Sequence, residues 1–65
     1  MRLANEAGEI VYYNVVEKRG AIRYIVAAAS GQTLTGRDRQ KLKSRTFTQE
    51  HQARAFLERN GYRSK

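Results

Sequence analysis

The chain has 65 residues and carries Lys+Arg 13 against Asp+Glu 6, a formal net charge of +7. So short a chain folds around one small core, which excludes a second domain and most classes of enzyme. Cysteine is absent and there is one histidine, so we expect no disulfide framework, no zinc site and no cofactor. The positive charge favours polyanionic partners instead.

The chain shows no segment that would direct it to or through a membrane. Its amino-terminal residues include glutamates where a secretory leader would be apolar. The longest apolar run, residues 24–29, is far below the roughly 20 residues that cross a bilayer. We therefore expect a cytoplasmic protein with no membrane partner. We expect residues 1–8 to be a flexible segment, 9–62 a single small α+β domain, and 63–65 a tail.

Two strands joined by a tight turn are predicted in the first half of the chain. Residues 10–17 are nearly all β-branched or aromatic, which favours extended backbone over helix. Residues 21–28 resume strand chemistry with Ile22, Tyr24, Ile25 and Val26, and Gly20 between the two runs can take the left-handed conformation that a hairpin turn requires. The sequence therefore predicts a β-hairpin.

The length of the hairpin loop decides which side chains face the core. A two- or four-residue loop places Asn14 on the same face as Arg23, whereas a three-residue loop with a glycine bulge places Tyr13 and Val15 there. We prefer the first register. Its core-facing residues are Val11, Tyr13, Val15, Ile22, Tyr24 and Val26. Its outward-facing residues are Tyr12, Asn14, Arg23 and Ile25.

A stretch of alternating cations follows the hairpin. Residues 30–36 are rich in turn formers and predict a surface loop from which Leu34 alone reaches the core. An extended strand projects alternate residues to one side, whereas a helix would scatter them over two sectors. We therefore predict a third strand over residues 40–47, with Leu42 and Thr46 pointing inward and its cations facing solvent. The alternating cations are Arg37, Arg39, Lys41, Lys43 and Arg45.

One amphipathic helix is predicted over residues 49–60. Thr48 is the expected N-cap. Gly61 suits the left-handed position after the last turn, and Tyr62 then lies where a Schellman cap brings it against the helix. The apolar positions at i, i+3 and i+4 are Ala53, Phe56 and Leu57.

These elements predict an α+β fold class: a three-stranded antiparallel sheet with one C-terminal helix packed on one face, in the order β-β-β-α. The helix is expected to contact Tyr24, Val26 and Leu42. A single helix covers one face only, so the exposed face is where function is sought.

The segment Arg45-Thr46-Phe47-Thr48, leading into Glu50 and the apolar helix positions, resembles the arm-type DNA-binding modules at the amino termini of tyrosine-recombinase integrases of phages and other mobile elements. The similar part spans residues 9–62. Such modules, like plant ethylene-response-factor domains, place a three-stranded sheet in the major groove. The resemblance implies DNA contacts from Arg23, Lys41, Lys43 and Arg45. An integrase catalytic domain is absent from this sequence. Three interpretations therefore stay open: a stand-alone binding module, a fragment of a longer protein, or an unrelated protein with the same order of strands and helix.

The function predicted from charge and periodicity is nucleic-acid binding, with DNA favoured over RNA. Cations would contact phosphates, while Asn14 and Tyr12 would contact or stack on bases. Both features also have a structural interpretation, because strand tyrosines pack and edge-strand lysines oppose aggregation. The candidate binding residues are Tyr12, Asn14, Arg23, Arg37, Arg39, Lys41, Lys43 and Arg45. The alternative is a small adaptor or inhibitor that docks its basic strand on an acidic protein partner.

No catalytic residues are expected. Asp38 is the only aspartate and lies between two arginines, and His51 falls in the first helical turn, facing solvent. Neither Gly31 nor Gly36 begins a phosphate-binding loop, because no Gly-Lys-Ser/Thr follows. We expect a non-enzymatic protein that is monomeric at physiological salt, with weak dimerisation through its edge strands when salt screens their charges.

Overall fold

The structure is a computed structural model that describes residues 1–35 and 40–64. Within these residues the chain forms a series of strands interrupted by one helix. In chain order the elements are β1 Arg2–Ala4, β2 Ile10–Lys18, β3 Ala21–Ala28, β4 Leu34–Thr35, β5 Lys41–Leu42, β6 Ser44–Phe47, α1 Glu50–Arg59 and β7 Arg63–Ser64. No helix of the described part has both the length and the apolar character needed to cross a membrane.

The main sheet has five strands in the order β6-β3-β2-β1-β7, and all of its neighbours pair antiparallel. The predicted α+β class with one C-terminal helix is confirmed, whereas the predicted number of three strands is wrong. Both additional strands come from terminal segments that were expected to lie outside the sheet. Leu3 of β1 pairs with Val11 and is only 5% exposed, so burial of this one leucine holds β1 on the sheet.

The β2–β3 hairpin has the predicted register. Arg19 and Gly20 form its two-residue loop with φ of 53° and 78°, the positive values that a type I′ turn requires. Asn14 therefore pairs with Ile25, and Arg23 with Val16. Paired residues share a face, and so do residues two apart on one strand. Arg23 pairs with Val16, which is two residues after Asn14, so Asn14 and Arg23 lie on the same side of the sheet.

The core lies between the helix-covered face of the sheet and α1. Leu34 reaches it as expected, at 2% exposed. Val26 packs with the helix as expected, whereas Tyr24 and Leu42 are only partly buried and lie outside the buried cluster. The buried residues are Leu3, Val11, Val26, Leu34, Ala53, Phe56, Leu57 and Tyr62.

The predicted third strand over residues 40–47 is broken into two. β5 pairs with β4, the chain bends at Lys43, and only β6 joins the main sheet. Arg45 pairs with Val26 on the helix side, so Thr46 points outward and is exposed. The predicted orientation is therefore inverted in β6, whereas in β5 Leu42 shares a face with buried Leu34 and Lys41 is exposed, as predicted. Phe47 is two residues after Arg45 and therefore lies on the same face of β6. The free energy gained by burying the Phe47 ring exceeds the free energy gained by exposing the Arg45 guanidinium.

The helix begins at Glu50, one residue later than predicted. Gln49 occupies the N-cap position without a side-chain hydrogen bond, so the assignment of this role to Thr48 is wrong. The C-terminus is as predicted: Gly61 has a φ of 74°, and the Tyr62 N–H donates to the Leu57 carbonyl at 2.9 Å. This is the Schellman arrangement, which brings Tyr62 into the core.

Candidate nucleic-acid interface

The helix packs on one face of the main sheet, and the opposite face is uncovered by any other described element. We call this second surface the open face. Alternation along the paired strands assigns residues to it: Tyr12, Asn14 and Arg23 belong to the open face, whereas Val11 and Val26 belong to the core. Three of the predicted binding residues are thus brought onto one surface.

The cations of the open face come from four different strands. Each of these side chains is exposed, and they stand at strand positions that pair with other open-face residues. The open-face cations are Arg2, Lys18, Arg23 and Arg63. Arg2 and Arg63 escaped the sequence analysis because two- and three-residue strands are too short to show a period of two.

No carboxylate of the described residues occupies a strand position of the open face. Glu17 is the only glutamate in a described strand, and it pairs with Ile22 on the helix side. Glu50 and Glu58 belong to α1, and Glu6 and Glu9 to the connection between β1 and β2. Within residues 1–35 and 40–64, the strand positions of the open face therefore carry four cations and no acid. This segregation concentrates positive charge on one surface of the sheet.

The centre of the open face is uncharged. Tyr12 is 44% exposed and lies between Arg2 on β1 and Ala27 on β3. Asn14 is exposed two residues along the same strand. The neighbour Ala27 is small and Tyr12 is exposed, and exposed aromatic side chains are the ones on which bases stack.

Arg45 does not join this surface, contrary to the sequence prediction. Its guanidinium carbon lies 4.9 Å from the ring centroid of Phe47 and 4.9 Å from that of Phe56. The two rings contact each other, with centroids 5.7 Å apart. Arg45 thus stacks on the aromatic edge of the core, where a cation–π interaction with two rings makes it a structural residue.

The two predicted lysines also lie away from the open face. Lys41 pairs with Thr35 in the β4–β5 ladder. Lys43 lies at the bend before β6, where its carbonyl accepts a hydrogen bond from the Ala28 N–H at 2.8 Å. The compact patch predicted from Arg23, Lys41, Lys43 and Arg45 is therefore not formed. Arg37 and Arg39 lie outside the described residues.

Two tyrosines on the helix side have altered acidity. Burial raises the pKa of Tyr62, and Glu9 raises it further. Burial also raises the pKa of Tyr13, with an additional contribution from Glu50. Tyr62 belongs to the buried cluster and Tyr13 packs against it, whereas Tyr12 projects to the open face.

Comparison with known proteins identifies no relative: no family model matches the chain, and neither a curated protein nor a solved structure is significantly similar to it. The likeness to integrase arm-type modules thus stays a prediction. Function is inferred below from the open face and its charges.

Proposed function

We propose that the chain is a small basic nucleic-acid-binding module, with DNA as the favoured ligand, that contacts phosphates and bases through the open face. The observation that carries this proposal is the segregation of charge, with four cations and no carboxylate on the described strands of that face. Nucleic acids are the polyanions whose extended charge such a surface matches.

The cations are arranged as two pairs at opposite ends of the open face. Arg2 and Arg63 lie diagonally on the neighbouring strands β1 and β7. Lys18 and Arg23 lie diagonally on β2 and β3. Diagonal neighbours are about 7–8 Å apart, so each pair can contact phosphates at one end of the face.

Tyr12 and Asn14 lie between the two cation pairs. Phosphate contacts position a protein on nucleic acid without reading sequence, whereas amide and aromatic groups can hydrogen-bond or stack on bases. We therefore expect the four cations to provide affinity, and Tyr12 and Asn14 to provide preference among sequences.

The test is fluorescence anisotropy with labelled duplex and single-stranded oligonucleotides at 50 mM salt. We expect micromolar or tighter binding by the native chain, and a loss of at least tenfold in a double variant, Arg23→Gln with Arg63→Gln. The matched control is Arg54→Gln with Arg59→Gln on the helix, which removes the same charge from another surface. Its binding should fall much less.

Equal losses in the two double variants would contradict binding through the open face. The alternative function, an adaptor that docks on an acidic protein, predicts negligible affinity for random DNA or RNA even at low salt. Absence of binding by the native chain would therefore reject the proposed function and favour the adaptor.

A further inference from the structure

The β2–β3 hairpin extends beyond the rest of the sheet. β1 pairs with residues 10–12 of β2, and β6 pairs with residues 24–27 of β3. Among the described strands, residues 16–18 and 21–23 therefore pair only with each other. We call residues 16–23 the arm. Val16 on one face and Ile22 on the other are 41% and 43% exposed, so α1 does not cover the arm.

The turn of the arm contains an unusual residue. Arg19 has a φ of 53°, and it is the only non-glycine residue of the described chain with a positive φ. Asn, Asp and Gly are the usual residues at the first position of such a turn, because a larger L side chain is strained there. The described residues offer the Arg19 guanidinium no ion pair. A strained residue at an exposed turn motivates the hypothesis that its side chain is kept for a contact with a partner.

The arm is strongly basic, with Lys18, Arg19 and Arg23 against the single acid Glu17. Three paired residues per strand and the turn extend about 10 Å at about 3.4 Å per residue. The major groove of B-DNA is about 12 Å wide and about 8.5 Å deep, and it admits a two-stranded ribbon. The five-stranded sheet, about 19 Å across its strand axes, is too wide to enter it.

We propose that the arm enters the major groove of duplex DNA, with the Arg19 side chain at its tip directed to base edges. The guanidinium fork of arginine matches the O6 and N7 acceptors of guanine. Lys18 and Arg23, which share the open-face side of the arm, contact phosphates along one side of the groove. This inference rests on the proposed function and narrows it: the ligand is double-stranded DNA, and the arm rather than Tyr12 and Asn14 makes the base contacts, because the wider part of the sheet stays outside the groove.

The decisive variant is Arg19→Asn, which replaces the strained residue by one that favours the turn. We expect its melting temperature to rise by about 4 °C, because the strain is relieved. We also expect its affinity for duplex DNA to fall about tenfold or more, because the base contact is lost. The matched control, Arg59→Gln, removes one charge from the helix and should lower affinity by no more than about threefold.

A chemical substitution in the DNA isolates the base contact. Replacing guanine by 7-deazaguanine removes the N7 acceptor from the major groove and leaves the phosphates unchanged. We expect binding by the native chain to weaken about fivefold or more on such a duplex, and binding by Arg19→Asn to be insensitive to the replacement.

Several results would overturn the arm inference and leave the proposed function intact. One is an Arg19→Asn variant that binds duplex DNA no more weakly than Arg59→Gln. Another is a native chain that binds the 7-deazaguanine duplex as well as the unmodified one. A third is binding to single strands with no binding to duplex. In each case, loss of binding in the Arg23→Gln plus Arg63→Gln variant would still support the open face.

Discussion

Arg45 shows how the environment of one side chain changes its role. The alternation of cations predicts a phosphate-binding arginine, yet the guanidinium lies over Phe47 and Phe56. Its aliphatic stem and charged head both contact the edge of the core, so the residue contributes packing as well as an electrostatic attraction to the rings.

We expect Arg45→Ala to lower the free energy of unfolding by about 1–2 kcal/mol through loss of the cation–π and packing contacts. Arg45→Met retains most of the stem and should cost less. Affinity for DNA should change no more in either variant than in Arg59→Gln. Urea unfolding followed by circular dichroism measures the stability, and an unchanged midpoint for Arg45→Ala would show that the stacking has no energetic effect.

At the scale of elements, the amino-terminal strand β1 is paired on both sides within the main sheet. β1 lies between β2 and β7, so it connects the carboxyl-terminal residues to the hairpin and also places Arg2 on the open face. Its attachment depends on Leu3, whose side chain belongs to the buried cluster.

We expect Leu3→Ala to destabilise the domain by about 2–4 kcal/mol, because it leaves a cavity in the core. Val15→Ala is the control, since it also shortens an aliphatic strand residue but at a site that is 56% exposed. Its cost should stay under about 1 kcal/mol. Thermal melts distinguish the two, and equal effects would mean that β1 does not stabilise the sheet.

At the scale of the whole molecule, charge determines how association depends on salt. The open face offers four cations, and each phosphate contact releases a counterion from the duplex. The logarithm of the binding constant should therefore fall with the logarithm of salt at a slope of about −3.6, a loss of about 150-fold between 50 and 200 mM.

Arg23→Gln with Arg63→Gln should reduce that slope to about −1.8, because two phosphate contacts remain. Anisotropy titrations at four or more salt concentrations provide the measurement. A slope that the double variant leaves unchanged would place the phosphate contacts on another surface. The monomeric state at physiological salt also stays a prediction, and sedimentation at the same salt concentrations tests it.

Local chemistry in the sequence predicted the features whose interactions are close along the chain, although Gly20 was compatible with two hairpin registers and the pairing of Lys18 with Ala21 decided between them. Gly20 permits the tight turn that sets the hairpin register, and Gly61 with Tyr62 completes the cap of α1. The placement of Tyr12, Asn14 and Arg23 on one face follows from that register alone. These features depend on backbone dihedrals and hydrogen bonds between residues only a few positions apart.

Only the tertiary structure decided which cations share a surface. Arg2 and Arg63 are at opposite ends of the sequence, and pairing of β1 with β2 and β7 brings them together. Arg45 was drawn to the helix side because Phe47, two residues later, packs against Phe56. The free energy gained by strand pairing and core burial between distant segments exceeds the free energy that a short charged segment gains from solvent exposure. The pattern of residues within that segment does not show which of the two is larger.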